Sequence, residues 1–185
     1  MSSIYLHNTY KTEKPAIGLL NIGTEETKGN ELTRESYALL KEKASELNIN
    51  FVGNVEGRDA FSGKIDAIVT DGFTGNIFLK TTEGLGHLVK TTLQESFYKN
   101  IFTKIGALVS LPALNKLKTA MDYKSYGGAL FLGVKKPVVK AHGSSDDILF
   151  EYTIKQAEKF VENKAVEKMI EEFENKAWQK LKHIL

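Results

Sequence analysis

The fold is decided first by residues 16–30, which read AIGLLNIGTEETKGN. The short, mostly apolar run Ala16–Asn21, preceded by Pro15, is typical of a buried strand. A polar, glycine-containing turn over residues 21–30 follows it and leads into a helical pattern with leucines near a 3.6-residue period. A strand, a polar loop and a helix in this order predict one unit of an α/β sheet.

The rest of the chain repeats this order, and it predicts a single α/β domain over residues 1–185. Further strands are predicted over residues 49–55, 65–70 and 138–140. Long helices are predicted over residues 77–98 and from 146 to about 182. Alternating strands and helices favour parallel pairing through crossover connections, with helices covering both faces of the sheet.

Three polar loops follow predicted strands, over residues 21–30, 71–76 and 142–145. Ligands of such sheets bind outside the carboxyl ends of the strands. We therefore expect all three loops to open on the same edge of the sheet.

Composition excludes several classes of protein. The 185 residues contain no cysteine, which rules out disulfides and thiolate chemistry and fits a reducing cytoplasm. No apolar run approaches the ~20 residues of a membrane span, and residues 1–10 lack the core of a signal peptide. A soluble protein, or one attached to a membrane surface, is expected.

The middle of the chain is basic. Between Lys99 and Lys140 there are eight lysines against one acid, Asp122. Such a segment attracts anions, although solubilising lysines are an equally ordinary explanation. It carries no recognisable nucleic-acid-reading motif, and no nucleic acid partner is predicted.

The loops contain residues that could handle an anion. Lys28 brings a full positive charge, and the turns Thr74-Gly75-Asn76 and Gly143-Ser144-Ser145 lead into helices whose first amides can bind anions. Serine at such a position is more often a plain helix cap. His142 follows a strand and could act as an acid or donor, and Asp71 could orient a partner or start a turn.

Other chemistries lack their signatures. Residues 57–64 resemble a P-loop but have five residues between the glycines, and Ile65 stands where serine or threonine is needed. No dinucleotide fingerprint, nucleophile elbow or metal-ligand spacing is present, so no cofactor or metal is predicted.

Six motifs in order resemble the phosphate acyltransferase family, which acts on acyl carrier protein thioesters. They are Leu19–Gly23, Lys28–Glu31, Phe51–Asp59, Asp71–Asn76, Met121–Ala129 and Ala141–Ser145. The resemblance covers roughly residues 16–150. It implies a three-layer α/β/α fold with a mainly parallel sheet, similar to phosphotransacetylases and isocitrate dehydrogenases, and a homodimer. Family members are nearly twice as long, so we expect a fragment or a natural short form that lacks the N-terminal half.

The resemblance also implies a reaction, in which acyl carrier protein thioester and inorganic phosphate give acyl phosphate. A membrane glycerol-phosphate acyltransferase would use this product in phospholipid synthesis. Together with loop placement, the resemblance assigns Lys28 to phosphate or oxyanion charge and His142 to proton donation. Asn76 would donate hydrogen bonds, Asp71 would orient one of these groups, and the phosphate contacts would also include Gly75, Gly143 and Ser144.

Residues 101–117 are apolar with interleaved lysines. This pattern suits an amphipathic element on an anionic membrane, through side chains of Ile105, Leu108, Val109, Leu111 and Leu114. A dimer-interface or core helix hairpin fits the pattern equally, and peripheral association of the family favours the membrane.

Two rival functions stay open. The first is a non-catalytic module that binds acyl carrier protein and the membrane surface, which a shortened chain favours. The second is a related phosphate-handling enzyme that uses acyl-CoA.

Overall fold

The computed structural model describes residues 1–120, 128–143 and 145–174. These residues divide between two compact units, which are Met1–Thr70 with Tyr126–Leu185, and Asp71–Ser125. The single domain that the sequence predicts stays a prediction. Each unit is described below by itself.

The first unit begins with helix α1 (Ser2–Tyr10) and strand β1 (Ala16–Leu20). Helix α2 (Glu31–Lys43), strand β2 (Asn50–Val55), a short 3₁₀ helix (Asp59–Phe61) and strand β3 (Ala67–Val69) follow. Later in the chain the unit adds strands β4 (Ala129–Leu130) and β5 (Val139–Lys140) and helices α5 (Asp147–Glu162) and α6 (Ala165–Glu174). The second unit consists of helices α3 (Gly72–Tyr98) and α4 (Ile101–Ala120).

The main sheet has the strand order β2-β1-β3, and both pairings are parallel. The predicted α/β fold with a parallel sheet flanked by helices is therefore confirmed. β1 is the central strand, which explains why its sequence is a continuous apolar run with Ile17, Leu19 and Leu20 buried. Because the strands are parallel, the chain leaves β1 and β3 at the same edge of the sheet, as predicted.

A β-bulge interrupts the pairing of β1 with β2. Ile17 pairs with Phe51 and Gly18 pairs with Gly53, so Val52 is the extra residue. Gly53 has a φ of 91°, a conformation that favours glycine. A Cβ on Gly18 would lie 2.7 Å from the Val55 side chain, so only glycine permits this approach of the two strands.

Two predicted elements differ from the structure. β5 pairs antiparallel with β4 in a separate two-stranded sheet, so the prediction that residues 142–145 follow a strand of the parallel sheet is wrong. The predicted continuous helix from residue 146 is two helices, broken where Lys164 has a φ of 50°. Residues 175–182 lie outside the described part of the chain.

The break allows α5 and α6 to form a second core with α1. Phe160, Val166 and Met169 are buried on these helices, and the Tyr5 ring lies 5.6 Å from the Phe160 ring between centroids. The first unit thus has an apolar core beneath its helices as well as one along β1.

Candidate functional site

The loop that follows β1 is held to the sheet by its first residue. The Asn21 amide N–H donates to the Val55 carbonyl at 2.9 Å. The Asn21 side chain accepts from the Ile22 N–H at 2.8 Å and donates through Nδ2 to the Lys28 carbonyl at 3.1 Å. One asparagine therefore joins the beginning of the loop to its end.

Asn54, near the end of β2, holds the middle of the same loop. Its Nδ2 donates to the Glu25 carbonyl at 2.8 Å, and the residue is only 5% exposed. Its Oδ1 is buried and has no hydrogen-bond partner in the described chain. Asn54 is not among the predicted site residues, although an asparagine at a buried strand end is itself a signal for a specific hydrogen bond.

Lys28 is exposed, and its aliphatic stem lies over Gly23. A Cβ on Gly23 would be 3.1 Å from the Lys28 Cγ, so glycine leaves room for the stem. Gly29 follows with a φ of 95°, and a Cβ there would lie 2.1 Å from the Thr33 hydroxyl. Among residues 1–120, 128–143 and 145–174, no carboxylate forms an ion pair with Lys28. Its ammonium is thus available to an anion.

An open groove of about 690 Å³ lies between this loop and α2. Its lining residues are Glu26, Thr27, Arg34, Tyr37, Ala38, Lys41 and Glu42. Lys41 pairs with Glu26; hydrogen bonding to Lys41 lowers the pKa of Glu26, and the same contact raises the pKa of Lys41. Arg34 donates through Nη1 to the Gly29 carbonyl at 2.6 Å. Both cations are therefore already engaged, unlike Lys28.

The second predicted loop is the beginning of α3 in the second unit. The Asp71 Oδ1 accepts from the amides of Phe73 and Thr74, both at 2.9 Å. The helix therefore starts at Gly72, and Gly75 and Asn76 lie inside its first turns rather than in a turn before it. The Gly75 N–H donates to the Asp71 carbonyl at 2.9 Å, so it is not free for an anion. Phosphate contacts by Gly75 and Asn76 stay predictions.

The cap at Asp71 gives a pH prediction. Hydrogen bonding, first of all from Thr74, lowers the pKa of Asp71 from its usual value. A lowered folded pKa means that the cap's contribution is complete above the unfolded pKa of about 4 and is lost as pH falls through the folded value. We expect amide exchange at Phe73 and Thr74, corrected for intrinsic rates, to accelerate over that acidic window. Asp71→Asn keeps an acceptor oxygen but cannot titrate, so the step should vanish; a step of equal size in this variant would contradict the assignment.

The third predicted loop follows β5. The His142 carbonyl accepts from the Ser145 N–H at 3.0 Å and from the Ser145 hydroxyl at 2.6 Å, which closes a turn. The cap of α5 is Asp146, whose Oδ1 accepts from the Leu149 N–H at 2.9 Å. Gly143 has open space where a side chain would begin. Ser144 and residues 121–127 of the fifth motif lie outside the described residues.

The predicted catalytic set is divided between the two units. Lys28, His142 and Gly143 belong to the first, whereas Asp71, Gly75 and Asn76 belong to the second. Within the first unit, the structure brings Asn21, Gly23, Glu25 and Asn54 together around Lys28. The meeting of Lys28 with His142 and Asn76 stays a prediction.

The described residues hold no metal-type cluster and no membrane-crossing helix. No group of three or more histidine, aspartate or glutamate side chains is placed to bind a metal ion in this part of the chain. No helix within the same residues is both long and apolar enough to span a bilayer.

Comparison with known proteins gives one consistent result. The family model described as "Fatty acid synthesis protein" matches residues 1–168. Phosphate acyltransferase of Clostridium novyi is 47% identical over 176 residues, which are 95% of this chain and 52% of that protein. The Clostridium perfringens enzyme of the same name is 45% identical over 184 residues, 100% of this chain and 53% of that protein.

A third relative extends the agreement to another genus. Phosphate acyltransferase of Bacillus pumilus is 49% identical over 162 residues, 88% of this chain and 48% of that protein. The chain thus spans about half the length of the curated relatives it matches. From the match over residues 1–168 and these identities, we conclude that the chain belongs to the phosphate acyltransferase family, as its six motifs predict.

Proposed function

We propose that the chain transfers an acyl group from acyl carrier protein to inorganic phosphate and so forms acyl phosphate. The observation that carries this proposal is the exposed Lys28, which has no ion pair among the described residues, on a loop fixed at the carboxyl end of β1 in a chain of this family. Carboxyl ends of parallel strands are where ligands of such sheets bind. A lone cation on a fixed loop is suited to a small, multiply charged anion.

The chemistry needs little from the protein besides positioning and charge. Phosphate is a competent nucleophile near neutral pH, so one of its oxygens attacks the thioester carbonyl carbon directly. The carbon–sulfur bond then breaks, and the thiolate leaves. Lys28 neutralises phosphate or the developing oxyanion, a form of electrostatic stabilisation that often dominates acyl transfer. His142 protonates the thiolate or donates to the oxyanion, and Asn76 with the turn at Gly143 and Ser144 supplies further hydrogen bonds.

The direct test is acyl phosphate formation by this chain from acyl carrier protein thioester and inorganic phosphate, measured by trapping the product with hydroxylamine. We expect product that depends on both substrates and none when the acyl donor is omitted. Acyl-CoA, offered as donor in a parallel reaction, separates the carrier-protein enzyme from the rival enzyme that uses coenzyme A. Absence of product from either donor, with a full-length relative active beside it, would overturn the proposal.

A non-catalytic module is the second candidate. It is favoured by the exposed apolar side chains of α4, such as Leu108 and Val109, and by the lysines between them. Such a module would keep the surfaces for acyl carrier protein and membrane. The trapping assay, read together with binding of acyl carrier protein, distinguishes it: binding without product supports the module.

The second unit supports membrane attachment as part of the proposal. α3 and α4 form a helical hairpin, and α4 begins with reciprocal hydrogen bonds between Asn100 and Thr103 at 3.1 and 3.0 Å. Along α4, the side chains of Ile105, Leu108, Val109 and Leu111 are exposed, with Val109 at 78%, whereas Leu114 is half-buried. Lysines such as Lys104 and Lys116 interleave with them, which suits an anionic surface.

Vesicle flotation tests the attachment. We expect the wild-type chain to float with vesicles that contain anionic lipid. Leu108→Glu and Leu111→Glu should each reduce the bound fraction about tenfold or more, because an exposed leucine that would insert into the lipid is replaced by a charge that anionic lipid repels. Asn115→Glu adds the same charge at an exposed polar position of the same helix and serves as the matched control. Equal loss in Asn115→Glu would mean that only net charge matters, and no loss in any variant would remove the hairpin as the attachment site.

Partners follow from the same proposal. The lysines of residues 99–140 suit acyl carrier protein, which is strongly acidic. The proposal also includes a homodimer and a cytoplasmic location at the membrane surface. The acyl phosphate would be delivered to a membrane glycerol-phosphate acyltransferase.

A further inference from the structure

Two asparagines at the ends of neighbouring strands hold the loop that carries Lys28 through side-chain hydrogen bonds. We call each of these two hydrogen bonds, from Asn21 and from Asn54, a grip. Asn21 directly follows β1. Asn54 is the second-last residue of β2 and pairs with Leu19 of β1. Each uses its side-chain Nδ2 to donate to a backbone carbonyl of the loop, at 3.1 and 2.8 Å. The two strands pair with each other, so both grips are fixed to the central sheet.

The two bonds converge on the peptide groups of Lys28. Its N–H donates to the Glu25 carbonyl at 3.1 Å, and this is the same oxygen that Asn54 holds. Its own carbonyl accepts from Asn21. Both backbone polar groups of Lys28 are therefore tied to the sheet through an asparagine, while the side chain stays exposed over Gly23.

The presence of a buried asparagine at position 54 is better explained by its hydrogen bond to the loop than by a contribution to the apolar core. Its Nδ2 must face the Glu25 carbonyl, since a flipped amide would bring two oxygens together. That orientation leaves the buried Oδ1 without a partner in the described chain, which is unfavourable. An apolar side chain of the same size would avoid the unfavourable acceptor but could not donate to Glu25.

We propose that Asn21 and Asn54 are positioning residues that fix Lys28 for the incoming phosphate. The inference rests on the proposed function for the identity of the anion. The hydrogen bonds that hold the loop are observed in the structure and do not depend on the proposed function. Neither residue needs to touch a substrate; each acts through the backbone of Lys28.

The test uses the whole chain and inorganic phosphate. Asn54→Leu keeps the size of the side chain and removes both the donor and the unpaired acceptor, and Asn21→Ala removes the other grip. Asn50→Leu is the matched control, because the Asn50 Nδ2 also donates to a backbone carbonyl, that of Lys14, at 3.1 Å, but from the opposite end of β2. Two quantities are measured for each variant: hydrogen exchange of the Lys28 amide with and without phosphate, and KM for phosphate in acyl phosphate formation.

We expect Asn54→Leu and Asn21→Ala each to accelerate exchange of the Lys28 amide about tenfold, the effect of one lost hydrogen bond, and to leave the melting temperature near that of the wild type. KM for phosphate should rise about tenfold, with KM for acyl carrier protein unchanged, which a general loss of stability would not produce. Asn50→Leu should change neither quantity.

The outcomes separate the two proposals. Unchanged Lys28 exchange in both grip variants would overturn the grip whatever the activity. The positioning role would be overturned if the wild-type chain binds phosphate and the grip variants, despite faster exchange of the Lys28 amide, respond to phosphate as the wild type does. A wild-type chain that neither responds to phosphate nor forms acyl phosphate would remove the proposed function, and with it the phosphate part of this inference, while the exchange rates still decide the grip. If one variant fails to fold, the other gives the result.

Discussion

Lys28→Ala should reduce kcat/KM for acyl phosphate formation at least about a hundredfold, with the melting temperature within about 2 °C of the wild type. The large effect on rate is expected because the ammonium is the charge offered to phosphate or the oxyanion. The small effect on stability is expected because the side chain is exposed and has no ion pair in the described chain. The measurement is steady-state kinetics with hydroxylamine trapping, beside thermal unfolding of the same samples.

Lys14→Ala is the matched control, because Lys14 is also an exposed lysine and lies just before β1, at the opposite end of the strand from Lys28. It removes the same charge from the chain and should leave turnover unchanged. His142→Ala is expected to lower turnover to a similar degree as Lys28→Ala, through loss of the proton donor. Unaltered turnover in Lys28→Ala or in His142→Ala would exclude that residue from the mechanism.

Phe160→Ala should destabilise the first unit by about 3–5 kcal/mol and lower the melting temperature by roughly 10 °C. Phe160 is 1% exposed, and its ring meets Tyr5 from α1 at 5.6 Å between centroids. Truncation leaves a cavity between helices that are distant in sequence, so the surrounding side chains can refill it only in part. Denaturant titration followed by circular dichroism measures the loss.

Phe150→Ala on the same helix is the control that separates the loss of a buried ring from the loss of any phenylalanine in α5. Phe150 is 55% exposed, so its truncation removes a phenyl ring without opening a cavity. We expect a loss below about 1 kcal/mol for this control. Equal losses in the two variants would mean that burial of Phe160 against α1 is not the source of the effect, since alanine itself favours the helix.

The sheet was predictable because its strands leave strong local patterns. Ala16–Leu20 is a continuous apolar run, and the structure places it at the centre of the sheet, where both faces are covered. β5 has only two residues, too few to show any periodicity, so its pairing with β4 rather than with the main sheet could not be read from the sequence. The break before α6 was missed for a related reason: it falls at Asn163 and Lys164, with no glycine or proline to mark it.

The candidate site was predictable only in part. Lys28 could be singled out because it lies in a polar loop after a buried strand. The grip of Asn54 on Glu25 spans 29 residues of sequence and joins a side chain to a backbone carbonyl, so it leaves no spacing that a single sequence could reveal. The cap at Asp71 follows the ordinary preference of aspartate for helix starts, so it was predictable from the residue type alone.

The extra residue in β2 lies between two stretches of regular pairing. Deleting Val52 would remove the bulge and leave Phe51 opposite Ile17, Gly53 opposite Gly18 and Asn54 opposite Leu19. Asn54 would therefore keep its place on the sheet beside the loop that carries Lys28. A single-codon deletion inside a strand usually shifts the pairing of all later residues, but at this position it should straighten the strand and keep the register.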